Sequence, residues 1–394
     1  FTSINLPHSS IGIPDISQKT IIKRQIRLEN CLQNIKLNAK EKETECNCFL
    51  TVEGNITAQT DTLLDEEINI EKSSDVPQKK ILIDVGVQIK SGDLIDTCFL
   101  HFLKTDQELS TATGIQNFQL FDSIVAAIKI VAPHFNKHTS VLNIRERVLM
   151  TFMKLKQNLS YSFLSILFPT VSVRYCSEII CNMLDILGEV LEPCIHFPLR
   201  DEILRNMPLC FADYPDTCII DCTEIEIQKP KNLCCQITTY STYKRRYTVK
   251  FMTGVTPDGI ISFVSRAYRG RASDKAIFEQ SLLLQRLKKG VSVMVDRSFL
   301  IDELCCDYDV KLIRPSFLKD NIQFSKDNAK KNANIASARV HVERLNQRLK
   351  VFEILGSKMS SCLIPKSEKI MTILCAIVNL NSPIFKNDKF LNFS

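Results

Sequence analysis

Three short stretches of this chain decide its reading: Ile219-Ile220-Asp221-Cys222-Thr223-Glu224, Met294-Val295-Asp296-Arg297-Ser298-Phe299 and Arg339-Val340-His341-Val342-Glu343-Arg344. The first two run apolar residues straight into an aspartate, the pattern of a buried strand that ends in a charge. The third sets a glutamate among arginines on an expected helix, because Ile335, Ala338, Val342, Leu345, Leu349 and Phe352 recur by threes and fours. Glu343 falls at the edge of that stripe. A carboxylate at the end of a buried strand is costly unless something compensates its charge. Asp and Glu oxygens suit Mg²⁺ or Mn²⁺. Two such ions activate water or a 3′-hydroxyl and stabilise the leaving oxygen of a phosphodiester. Asp221, Asp296 and Glu343 are therefore the expected catalytic and metal-binding residues.

Around these stretches the sequence alternates strand and helix signals. Thr217–Ile227 is an expected strand. The stretches 247–255 and 260–266 flank Thr256-Pro257-Asp258-Gly259, a hairpin turn. A helix is expected over 274–287, a strand over 291–295, a short helix over 300–306 and a strand over 310–313. A long helix is expected over 327–352 and a last apolar one over 369–380. The expected class is α/β, a mixed sheet flanked by helices, over residues 201–385.

Upstream, 81–200 reads as helical. Phe118, Phe121, Ile124, Val125, Ile128 and Val131 mark one helical face before Pro133. From 144 to 191 the spacing predicts three helices: 144–158, a short one beginning after Ser160 and broken by Pro169, and a third from Ser172. A short helix, a tight break and a longer helix make a helix-turn-helix, although any three-helix bundle gives the same pattern. Residues 1–42 hold an amphipathic segment with a coiled-coil reading. Residues 43–80 are polar and partly acidic, the composition of a flexible, partly disordered linker. The chain opens on Phe1, and its first 19 residues lack a charged-then-apolar leader. We therefore expect further sequence upstream.

Net charge is +6 overall, but residues 221–350 hold 24 Lys and Arg against 14 Asp and Glu, a net of +10, leaving −4 elsewhere. A basic half with embedded carboxylates suits a polyanion. Lys244, Arg245, Arg246, Arg269 and Arg271, interleaved with Tyr240, Tyr243 and Tyr247, are expected to touch phosphate and exposed bases. Arg339, Arg344 and Arg348 beside Glu343 are expected to do the same. Glu224 and Asp274 are second-tier acids. Strand alternation puts Glu224 on the face opposite Asp221, and Ser273 or Asp274 caps a helix. His341 is assigned to packing or hydrogen bonding. The 16 cysteines show neither zinc spacing nor a disulfide framework. Cys46 and Cys48 stand alone, Cys218, Cys222 and Cys375 sit in apolar runs, and a reducing compartment is the simpler inference. No apolar run is long enough to span a membrane, so no membrane partner is expected.

At these residues the chain resembles the PIF/Harbinger-type DDE superfamily endonucleases, the branch often found behind a THAP zinc finger. The similar stretches are IIDCTEI, YSTYKRRYTVKFMTGVTPDGIISFVSRAYRGRASDK, VMVDRSF and IASARVHVERLNQRLKVFEIL, with MTFMKLKQNLSYSFLSILFPTV resembling the preceding helix-turn-helix. The resemblance covers about residues 143–383. It implies an RNase H-like catalytic fold whose DDE triad falls on Asp221, Asp296 and Glu343. It also implies two Mg²⁺ or Mn²⁺ ions, cleavage and joining of double-stranded DNA at transposon ends and target, and work in the nucleus. Ser298 replaces a frequent glycine, and no THAP-like Cys/His set is visible. A second copy of the chain or a separate DNA-binding protein is a further expected partner. The competing reading is a domesticated, non-cleaving DNA-binding or scaffold protein. A phosphoesterase for small molecules is disfavoured by the basic half and the helix-turn-helix.

Overall fold

A computed structural model describes residues 99–131, 141–287, 290–316 and 325–381. The amphipathic segment over 1–42 and the linker over 43–80 lie outside the described residues, as does the side chain of His341.

After a 3-10 turn at Phe99–Phe102 come α1 (Asp106–Thr113) and α2 (Phe118–Val131). The helix-turn-helix region follows as α3 (Ile144–Gln157), α4 (Tyr161–Leu167) and α5 (Val173–Leu191). Capping sets these boundaries. Asn143 and Glu146 form a capping box, Ser160 accepts from the Phe163 amide, and Ser172 accepts from the Tyr175 amide. A short helix α6 (Arg200–Asn206) leads into the sheet.

The sheet strands are β1 (Thr217–Glu226), β2 (Tyr240–Ser241), β3 (Arg246–Val255), β4 (Ile261–Val264), β5 (Tyr268–Arg269), β6 (Ser292–Met294) and β7 (Leu312–Ile313). Their spatial order is β2-β3-β1-β6-β7, with β4 and β5 also on β3. β1 pairs antiparallel with β3 and parallel with β6, and β6 pairs parallel with β7. The interleaved helices are α7 (Leu233–Thr239), α8 (Asp274–Gln280), α9 (Leu283–Arg286), α10 (Asp302–Asp307), α11 (Lys326–Lys350), α12 (Glu353–Gly356) and α13 (Ser367–Leu380). This mixed sheet between helices is the RNase H-like arrangement expected from the sequence. The helix expected over 274–287 is instead broken after Gln280. Leu282 adopts φ 59°, a left-handed value that a helix interior does not accommodate.

β1 is buried on both faces. Its odd residues Ile219 and Ile225 join Met294 and the α11 stripe Ile335, Ala338, Val342 and Leu345 in one core. Its even residues Cys218 and Ile220 join Met252, Val293, Ile277, Phe278 and Ile301 in a second. Period-two alternation therefore sends Asp221 toward α11 and Glu224 to the other face.

The first core does not stop at the boundary near residue 200. It runs without interruption from Leu109 through the helix-turn-helix to Val378. The buried helix α13 joins the two halves. Its Asn379 donates to Cys194 O (3.0 Å) and Ile261 O (2.9 Å) and accepts from the Ile261 amide (2.9 Å). Lys366, just before α13, pairs with Asp185 of α5. Among the described residues every cysteine is free, and no helix is long and apolar enough to cross a membrane.

Candidate active site

The two aspartates meet because of strand register. Ile219 pairs with Met294 across the parallel β1–β6 ladder. Two residues further along each chain lie Asp221 and Asp296, near enough for the Asp296 charge to act on the Asp221 carboxyl. Asp296 lies just past the end of β6, where the ladder stops and the chain turns, so its side chain is 46% exposed. Asp221 lies inside β1 and is largely covered.

Both carboxylates are held by α11. Asn346 Nδ2 donates to Asp221 Oδ2 at 2.7 Å. Arg339 Nη1 donates to Asp296 Oδ1 at 2.9 Å, and the Arg297 amide donates to the same oxygen at 2.7 Å. Arg339, Glu343 and Asn346 follow i, i+4, i+7 spacing on one side of α11. At 100° per residue, Glu343 stands roughly 40° to 60° further round the helix than the other two. It is accordingly exposed and makes no hydrogen bond or ion pair among the described residues. The structure thus brings Asp221 and Asp296 together and places Glu343 between the two α11 residues that hold them. It does not bring the Glu343 carboxylate into contact with theirs. Among the described residues no three His, Cys, Asp or Glu side chains converge as a metal cage.

Electrostatics mark Asp221 as the costly group. Burial pushes its carboxyl up to about 6, against an ordinary 3.8, while the Arg339 guanidinium pulls it down and Asp274 and Asp296 push it further up. The neighbouring Cys222 thiol is pushed far up, first by burial and then by Asp274 and Asp221. Its surroundings hold it in the neutral thiol form.

The second-tier acids form a separate cluster on the other face of β1. Lys250, opposite Glu224 in the β1–β3 register, reaches Glu224 Oε1 (3.4 Å), Asp274 Oδ1 (3.2 Å) and Ala272 O (3.1 Å). Glu224 also accepts from Thr248 Oγ1 at 2.8 Å. Burial disfavours the Lys250 ammonium, but Asp274 and Glu224 outweigh it, so its pKa is raised. Ser273 caps α8 and Asp274 is its first residue, as the sequence suggested.

The basic residues separate into two groups. Tyr243, Lys244 and Arg245 are exposed at the β2–β3 turn, where the Lys244 ammonium lies 4.8 Å from the Tyr243 ring. Arg245 takes φ 54° there. Arg246 is paired with Glu226 (2.7 Å), Arg269 donates to Thr238 Oγ1 (3.1 Å), and Arg271 is exposed. Arg344 is exposed on α11, and Arg348 lines a cavity of about 310 Å³ together with Lys156 and Phe352. Arg339, by contrast, is turned inward and only 14% exposed. Sequence reasoning missed Asn346 altogether. Its only signal was an amide placed between core positions Leu345 and Leu349.

Among the described residues, two buried polar atoms at this site have no hydrogen-bond partner: Asn346 Oδ1 and Arg339 Nε. Such orphans are rare in a settled interior and mark a place that calls for a further polar group. The Asn346 carbonyl oxygen, together with the hard oxygen donors on Asp221 and Asp296, fits a hydrated divalent cation, whereas the Arg339 Nε–H calls for an acceptor.

Comparison with known families matches two parts of the chain. Residues 220–379 match the family model described as DDE superfamily endonuclease, and residues 140–193 match that described as helix-turn-helix of DDE superfamily endonuclease. Comparisons with curated proteins and with solved structures gave no significant match.

Proposed function

From a DDE superfamily endonuclease domain preceded by its helix-turn-helix, we propose a metal-dependent, transposase-type nuclease that cuts, and joins, phosphodiesters of double-stranded DNA. We place it with the PIF/Harbinger-type enzymes, acting in the nucleus. The observation that carries this reading is the pair of aspartates that follow the paired ends of β1 and β6, each held by a residue of α11 that flanks Glu343.

In this reading Asp221 and Asp296 hold two Mg²⁺ or Mn²⁺ ions, and Glu343 is the third acid. Bound metal supplies Lewis-acid activation of the attacking hydroxyl and charge stabilisation at the leaving oxygen. The rest falls to the chain's own residues. Asn346 fixes the Asp221 carboxylate, and the Arg297 amide fixes that of Asp296. The exposed Lys244 and Arg245 hold phosphates, and Tyr243 offers a ring on which an unpaired base stacks.

One observation favours the alternative of a non-cleaving DNA-binding protein: the Glu343 carboxylate stands apart from the two aspartates. Nicking of supercoiled plasmid with Mg²⁺ or Mn²⁺, wild type beside Asp296→Asn, separates the readings. Metal-dependent nicking that the variant loses supports the nuclease. DNA binding without nicking, equal in both proteins, supports the alternative and defeats the nuclease.

A further inference from the structure

We propose that Arg339 is a built-in counter-ion beside the aspartate pair, and that a divalent cation takes Oδ1 of Asp296 only by displacing it. The inference rests on the metal-dependent reading above and adds what occupies the site before metal arrives.

Four observations carry it. The guanidinium is largely buried and donates to Asp296 at 2.9 Å. Its charge also pulls the Asp221 carboxyl down, although its hydrogen bond goes to Asp296 alone. Asp296 Oδ1 already takes the Arg297 amide at 2.7 Å, so both of its lone pairs are engaged. The amide belongs to the backbone and stays, whereas the arginine is a side chain and can swing away. Finally, the buried Arg339 Nε has no partner among the described residues, so this arrangement leaves one donor unsatisfied there.

A cation on either oxygen of Asp296 lies within a few Å of the guanidinium. Repulsion at that distance is substantial even at a high effective dielectric. Arg339 and metal are therefore alternative partners of Asp296. A merely positioning role makes the opposite prediction, because a residue that only orients Asp296 helps metal to bind and its loss weakens binding.

The test is a calorimetric Mn²⁺ titration of the full chain, with no DNA, comparing wild type with Arg339→Gln and Arg339→Lys. Thermal unfolding in chelator is measured beside it. We expect Arg339→Gln to bind Mn²⁺ about tenfold more tightly or better and to unfold at a lower temperature without metal. Arg339→Lys keeps the charge but loses the planar fork, and its affinity should fall between the other two. It also serves if the glutamine variant does not fold. Unchanged or weaker Mn²⁺ binding in these variants overturns the counter-ion, provided the wild type binds Mn²⁺ and Asp296→Asn does not. No Mn²⁺ binding in any of the proteins, or binding that survives Asp296→Asn, overturns the metal reading itself and the counter-ion with it.

Discussion

Asp221→Asn is expected to stabilise the metal-free protein, and only above acid pH. The Asp221 carboxyl sits at about 6 in the fold, against 3.8 ordinarily, because burial penalises its charge. A group whose folded pKa is raised binds its proton more tightly in the native state. Wild type therefore loses stability as pH rises from about 4 through 6. The difference, roughly two pKa units, corresponds to about 3 kcal/mol at pH 7 and to about 0.5 kcal/mol at pH 4. Asparagine mimics the protonated acid and still offers an oxygen to Asn346 Nδ2. The gain of the variant over wild type should therefore be small at pH 4, grow through pH 5 and 6, and level off by pH 7. Urea unfolding of both proteins in chelator at those four pH values measures it, since subtracting one curve from the other removes the titration of every other group. A gain that does not change with pH would refute the reasoning. So would an Asp221→Asn protein less stable than wild type at pH 7, because the burial cost assigned to Asp221 would then be absent.

Other substitutions test the scaffold and the DNA surface. Asn379→Leu removes the hydrogen bonds that Asn379 makes with the Ile261 amide and carbonyl and with the Cys194 carbonyl inside the core. We expect a loss of about 2 to 4 kcal/mol in denaturant unfolding, and a near-neutral result would remove Asn379 as the tie between sheet and helix-turn-helix. Gly114 takes φ 76° and a Cβ there would strike the Phe352 ring. Gly114→Ala should cost at least about 1 kcal/mol by the same measurement. Lys244→Ala with Arg245→Ala should weaken DNA binding and lower the slope of log affinity against log salt by roughly 0.9 for each phosphate no longer neutralised. An unchanged slope would place the DNA elsewhere.

Much of the fold was legible in the sequence because local physics set it. Asn143, Ser160 and Ser172 cap their helices from one turn away, so the helix-turn-helix boundaries fall within a residue or two of those expected. The α11 stripe and the two faces of β1 follow from periods of 3.6 and 2, and the expected core positions of α11 are buried. The small helix α7 was not seen. Its seven residues, rich in threonine and cysteine, carry little helical signal, and it is anchored by Asn232 accepting from the Cys234 amide.

The candidate site divides along the same line. Sequence alone picked out Asp221 and Asp296, because a charge ending an apolar run is costly wherever the chain goes. It also picked out Glu343 as an acid at the edge of a helical stripe. Only tertiary structure decided who holds them. Asn346 reaches Asp221 across 125 residues and Arg339 reaches Asp296 across 43. In the sequence Arg339 is one more basic residue beside Glu343. In the fold it is the counter-ion of an aspartate. Such partnerships depend on how α11 lies across β1 and β6, a long-range packing that no local periodicity encodes.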